Sequence, residues 1–169
     1  IRALEDLPDA GESLPSLSIV VAARNEEWDV EQALLSLLAL DYPLLEVIVV
    51  NDRSTDATGS ILERVSQDHP GLQVLHLEML PEKWLGKNHA MQQGAMIASG
   101  EYILFTDADI NWQPNVLSTA RAAMRQNNAD IVALFPKLEF GSTGEAIVQL
   151  QLMLALGIVF PMCKAVDPN

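Results

Sequence analysis

Two aspartates, Asp107 and Asp109, stand one residue apart where the apolar run Tyr102-Ile-Leu-Phe105 ends. Two like charges so close repel unless a cation or a donor-rich ligand lies between them. Hard oxygen ligands beside a phosphate suit Mg²⁺ or Mn²⁺, which take one or two carboxylates and complete their shell with phosphate oxygens and water. The same spacing also serves as a turn or a helix cap, so the surroundings decide. Three further polar stretches follow an apolar run or open a helix: Arg24 to Glu27, Asn51 to Asp56, and Trp84 to Lys87. Carboxylates such as Glu26 and Asp52 accept hydrogen bonds from base N–H groups or ribose hydroxyls. Lys87 brings a cation to a helix start, where the backbone dipole also favours an anion.

Taken singly, each has a plainer reading. Glu26 and Glu27 also suit a helix N-terminus, Asp52 and Asp56 also cap a turn, Lys87 suits solvent, and Trp84 suits loop packing. His69, His76 and His89 lack metal-ligand spacing and read as surface or half-buried side chains. Together the plain readings fail. Independent turns have no reason to set carboxylates at three strand ends with a lysine between them.

These residues need strands that end on one side. Leu17 to Ala23 is a β-branched apolar run, and a helix follows with its apolar face at Leu34, Leu35, Leu37, Leu38 and Leu40, stopped by Asp41-Tyr-Pro43. Glu46 to Val50 reads as a second buried strand, before a helix to about Asp68 capped by Thr55 or Asp56. The third strand is expected over Leu72 to Leu77 with Val74 and Leu75 buried, then a helix from Lys87 to Ser99 ended by Gly100. Tyr102 to Phe105 reads as a strand buried on both faces, Pro114 opens a helix to about Gln126, and Asp130 to Phe135 reads as a fifth strand. Such alternation implies an α/β fold with a mostly parallel sheet and helices on both faces. In such folds ligands bind at the carboxyl ends of the strands.

Composition narrows the partners. The 169 residues, 49% apolar and 20% charged, suffice for one domain with a real core. With 23 acidic and 10 basic side chains, the formal charge of −13 disfavours nucleic acid and purely electrostatic docking on anionic lipid. A single cysteine, Cys163, excludes an internal disulfide and a cysteine-based zinc site. The chain begins at Ile1 and is expected to be a fragment or processed product. Residues 1–16, acidic and Pro-rich, read as a tether, and 17–140 as the ligand-binding domain. Within 141–169, the stretch from Ala146 to Cys163 carries no charge. That meets the lower length limit of a membrane span, but Gln149, Gln151, Gly157 and Pro161 favour a helix at the interface or packed on another part of the protein. The first turn, Ala-Ala-Arg-Asn-Glu, has no glycine, which argues against a Rossmann dinucleotide site, and no Walker-type loop is present.

Four motifs in this order and spacing resemble the family 2 glycosyltransferases of the GT-A fold. They are Val20-Val-Ala-Ala-Arg-Asn-Glu-Glu27, Val50-Asn-Asp-Arg-Ser-Thr-Asp56, Gly86-Lys87 with Ala90 and Gly94, and Gly100-Glu-Tyr-Ile-Leu-Phe-Thr-Asp-Ala-Asp109. The resemblance implies inverting transfer from a nucleotide-diphosphate sugar, usually a UDP sugar, with Mn²⁺ or Mg²⁺. It implies nucleoside contacts from Glu26 and Asp52, backbone contacts from Ala22 and Ala23 in the turn that continues into Arg24, and a diphosphate contact from Lys87. Asp109 would ligate the metal directly, and Asp107 would share that motif while facing ribose or phosphate. Pro81-Glu-Lys-Trp-Leu-Gly-Lys87 is similar to membrane-associated members acting on lipid acceptors, among them the hopene-associated glycosyltransferases. That implies the cytoplasmic face of a membrane and a lipid or saccharide acceptor. The family's catalytic-base carboxylate and, in the lipid-acceptor members, a Gln-x-x-Arg-Trp motif have no counterpart before Asn169, so the catalytic residue is unassigned and the chain reads as a donor-binding half. The other readings are a nucleotidyltransferase, which should carry a Gly-rich first loop, and a non-catalytic nucleotide-binding or membrane-docking module.

Overall fold

The computed structural model describes residues 14–134, together with 137, 142, 144 and 147–151. Elements alternate as β1 (Leu17–Ala23), α1 (Val30–Leu38), β2 (Leu45–Asp52), α2 (Thr58–Asp68), β3 (Leu72–Leu77), α3 (Gly86–Ile97), β4 (Tyr102–Asp107) and α4 (Val116–Asn127). The four strands form one sheet in the order β3-β2-β1-β4, with every pairing parallel. This is an α/β fold, as the alternation predicts. The chain divides into two compact units, Ile1–Leu134 and Phe135–Asn169.

Successive residues of β1 and β2 point to opposite faces of the sheet, and both faces are covered. Ile19, Val21, Val47 and Val49 pack with Val30, Leu34 and Leu37 of α1 and with Leu62 and Val65 of α2. Ile48 and Val50 pack on the other face with Ala90 of α3. Helices on both sides explain why these two central strands read as continuous apolar runs rather than alternating ones. Gly94 lets α3 lie close, since a Cβ there would stand 2.4 Å from Val20 Cγ1 and 3.1 Å from Val50 Cγ2.

Three expectations need correction. Tyr102, Ile103 and Phe105 of β4 are 42 to 48% exposed rather than buried on both faces, because β4 is the outer strand of the described sheet. Residues 130–134 form no strand, and Ile131 is exposed, so the β-branched composition there finds no strand to pair with among the described residues, while Phe135 lies outside them. In β3 the buried residue is Leu72, while Val74 and Leu75 are half-buried on the opposite outer strand. Boundaries also move: β2 runs on through Asp52, α1 stops at Leu38, α3 opens at Gly86, and α4 opens at Val116 rather than at Pro114. Most of the tether and of the uncharged stretch lies outside the described residues. In the second unit residues 147–151 are helical, and among the described residues no helix is long and apolar enough to cross a membrane.

Candidate active site

The parallel register aligns the strand ends. Ala22 of β1 lies opposite Asp107 of β4, and Ala23 lies opposite Asn51 of β2, so the chain leaves all three strands at one edge. Between these exits and the first turn of α3 lies a cleft of about 270 Å³. β1 and its turn contribute Ala22, Ala23, Arg24 and Glu26, and β2 contributes Asp52. α3 contributes Gly86 and Lys87, and β4 contributes Asp107, Ala108 and Asp109. Every residue singled out for donor or metal binding therefore faces one space.

The β1 and β2 turns are tied together. Asn25 and Arg53 both adopt left-handed backbone with φ of 57°, a conformation that needs local hydrogen bonding to hold a non-glycine residue. Asn25 N–H donates to Ser54 Oγ (3.1 Å), while Thr55 N–H donates to Asn25 Oδ1 (2.9 Å). Glu26 N–H donates to Thr58 Oγ1 (2.8 Å). Asp56, one of the two expected caps, accepts from Thr58 N–H (3.0 Å) at the start of α2, and Glu27 accepts from Ala57 N–H (3.0 Å). Glu27 thus serves α2 rather than the cleft.

Asp52 is 3% exposed and held bidentately by its neighbour, Arg53 Nε at 2.8 Å from Oδ1 and Nη2 at 3.1 Å from Oδ2. The Arg53 hydrogen bond holds the Asp52 carboxyl below its ordinary value against the opposing effect of burial. Each carboxylate oxygen keeps a second lone pair, so Asp52 can still accept from a ligand. Gly86 makes that pair possible: a Cβ there would stand 2.4 Å from Asp52 Oδ2 and 3.2 Å from Arg53 Nη2. Across the cleft, Lys87 Nζ pairs with Asp107 Oδ1 at 2.5 Å. Glu26 has its carboxyl pushed up, first by burial and then by the charges of Asp109, Asp29, Asp107 and Asp56.

Among the described residues no three of His, Cys, Asp and Glu converge as a self-sufficient metal site. Two carboxylates facing an open cleft instead fit a cation whose remaining ligands come from a diphosphate and water, the usual arrangement for Mg²⁺.

Some contributors have no role assigned to them by the sequence, although Arg53 and Gly86 lie inside its motifs. Arg53 and Gly86 act through Asp52, and His89 is buried in α3 in edge contact with Trp84, ring centroids 5.5 Å apart, its Nδ1 without a partner among the described residues. The small residues Ala90 and Gly94 are the sequence signal for the close approach of α3 to the sheet, and nothing in the sequence announces the rest.

The family model described as "Glycosyl transferase family 2" matches residues 18–161. The chain is 27% identical over 133 residues to "Uncharacterized glycosyltransferase YibD" of Escherichia coli, covering 79% of this chain and 37% of that protein. It is 38% identical over 97 residues to the 4,4'-diaponeurosporenoate glycosyltransferase of Staphylococcus aureus, covering 57% and 24%. Among solved structures it is similar to the mannosyltransferase PcManGT of Pyrobaculum calidifontis in complex with GDP-Man and Mn²⁺, at TM-score 0.58 and 30% identity, covering 72% of this chain and 36% of that one. It is also similar to S. aureus TarS 1-349 in complex with UDP-GlcNAc, at TM-score 0.54 and 30% identity, covering 75% and 38%. The chain thus spans less than two fifths of each of these four proteins. With GT-A glycosyltransferases as its structural neighbours and a family model matching most of its length, the chain belongs to glycosyl transferase family 2.

Proposed function

We propose that this chain binds a nucleotide-diphosphate sugar, foremost a UDP sugar, as the donor for inverting glycosyl transfer. The observation that carries the reading is the convergence of three strand ends and the first turn of α3 on one cleft. Asp52 and Glu26 accept hydrogen bonds from the nucleoside, and Ala22 and Ala23 offer backbone beside it. Arg24 adds positive charge at the rim. Lys87 meets the diphosphate, exchanging its bond to Asp107 for phosphate oxygens. Asp109, with Asp107, would hold Mn²⁺ or Mg²⁺. When bound, such a metal supplies Lewis acidity toward the departing diphosphate. PcManGT, in complex with GDP-Man and Mn²⁺, and TarS, in complex with UDP-GlcNAc, support this class of donor and a divalent metal.

Inverting transfer also needs a base to take the acceptor hydroxyl's proton. The cleft carboxylates Glu26, Asp52, Asp107 and Asp109 are committed to donor and metal, so the base is placed outside this set. A lipid-like acceptor is the reading supported by the relative named for 4,4'-diaponeurosporenoate, and its place at a membrane's cytoplasmic face rests on the Pro81 to Lys87 resemblance; a saccharide acceptor is the alternative.

Calorimetry of the purified chain with UDP, GDP, CDP and ADP in the presence of Mn²⁺ tests the donor class. UDP should bind tightest, and Asp52→Ala should weaken uridine itself by about tenfold, as expected for a lost hydrogen bond to a charged group. Equal affinity of parent and variant for uridine would remove Asp52 from the nucleoside site.

A further inference from the structure

We propose that His76 is a positioning residue for the nucleoside side of the cleft. In its Nε2–H form it fixes the Asn51 amide, and through it the turn from Asn51 to Thr55. The inference rests on the nucleotide-binding reading above.

Parallel register sets His76 of β3 directly opposite Asn51, the residue before Asp52. The Asn51 side-chain nitrogen lies 2.9 Å from His76 Nδ1, and His76 Nε2 lies 2.7 Å from Glu63 Oε1. An ionised carboxylate only accepts, so Nε2 carries the proton and Nδ1 presents its lone pair. The Asn51 NH₂ must then face the ring, leaving Asn51 Oδ1 to accept from Ser54 N–H at 3.2 Å. No other assignment satisfies all three bonds. Asn51 is buried, 6% exposed, so water does not readily substitute for a lost partner. Gly59 is what leaves the amide its place, since a Cβ there would stand 3.1 Å from Asn51 Nδ2.

Ser54 and Thr55 are the residues that clasp Asn25, beside Glu26. The chain from Glu63 through His76 and Asn51 therefore sets the turn that presents Asp52 and, through Asn25, the turn that presents Glu26. A proton on Nδ1 sets a donor against the amide NH₂. Rotating the amide satisfies the ring but turns the NH₂ onto Ser54 N–H. Either way one bond is lost. The facing groups are Glu63 from α2 and Asn51 from β2, and among the described residues Glu63 is the only charged group within ion-pair distance of the ring.

The test uses uridine titration at pH 8 together with imidazole ¹⁵N NMR of the whole chain. Neutral His76 should be the Nε2–H tautomer, and His76→Phe should bind uridine about fivefold more weakly than the parent, the loss of one neutral hydrogen bond. A neutral Nδ1–H tautomer overturns the proposal, as does a folded His76→Phe protein matching the parent. If that variant does not fold, the parent's tautomer decides. Should the folded parent bind no uridine, the nucleotide-binding reading fails, while the tautomer still tests the lock on Asn51.

Discussion

Lys87 Nζ and Asp107 Oδ1 meet at 2.5 Å, joining the first turn of α3 to the end of β4 across the cleft. Both side chains are about half exposed, 55% and 46%, so the pair contributes at most about 1 kcal/mol to folding. Its consequence lies in binding. Lys87→Met should leave the thermal midpoint within a few degrees of the parent, yet weaken UDP by about tenfold while leaving uridine unchanged, the result expected if the lysine meets phosphate. Titrations of both ligands separate these effects; an equal loss for uridine and UDP would assign Lys87 to cleft architecture instead.

Gly86 is the tightest constraint on Asp52. In Gly86→Ala the new methyl would meet Asp52 Oδ2 at 2.4 Å and Arg53 Nη2 at 3.2 Å, and the buried carboxylate has little room to retreat. We expect a stability loss of about 1–3 kcal/mol, as for other overpacked sites, with weaker uridine binding. Urea denaturation and a uridine titration check both; wild-type values for each would mean that Asp52 is free to move.

Strands β1 and β2 were legible because both faces are covered, so their apolar runs are unbroken, and each polar stretch begins where such a run stops. That is why Glu26, Asp52, Lys87, Asp107 and Asp109 can be read from the sequence as one set. Strand composition misleads where the outer position decides: Tyr102 to Phe105 are apolar but lie on the outer strand of the described sheet, and Ile131 pairs with no strand among the described residues. The grip of Arg53 on Asp52 depends on a left-handed φ at Arg53, and the meeting of Asn51 with His76 depends on strand register. Neither leaves a spacing signature in one chain.

Acid should loosen the fold partly through Asp52. A carboxyl whose folded pKa lies below its unfolded value stabilises the fold when ionised, fully so above the ordinary value of 3.8, and that stabilisation is lost as pH falls through the lowered folded value. Glu46 has its carboxyl lowered too. Burial opposes its ionisation, but hydrogen bonds from Ser18, Ser99 and Gln73 outweigh it. Urea midpoints measured from pH 6 down to pH 2 should fall steeply in the parent and less so in Asp52→Asn. Parallel curves for the two proteins would show that the Asp52 pair does not couple to acid stability.

Of all these experiments, the affinity of the chain for UDP with and without Mn²⁺, compared between parent and Asp109→Ala, bears most directly on the donor-and-metal reading of the cleft. Asp109 lies at the exposed end of the β4 turn, so its replacement should leave the thermal midpoint nearly unchanged. Mn²⁺ should tighten UDP binding in the parent by at least about tenfold, or roughly 1.4 kcal/mol, and Asp109→Ala should abolish most of that increment while keeping the metal-free affinity. An identical UDP affinity with and without Mn²⁺ in the parent would contradict the account.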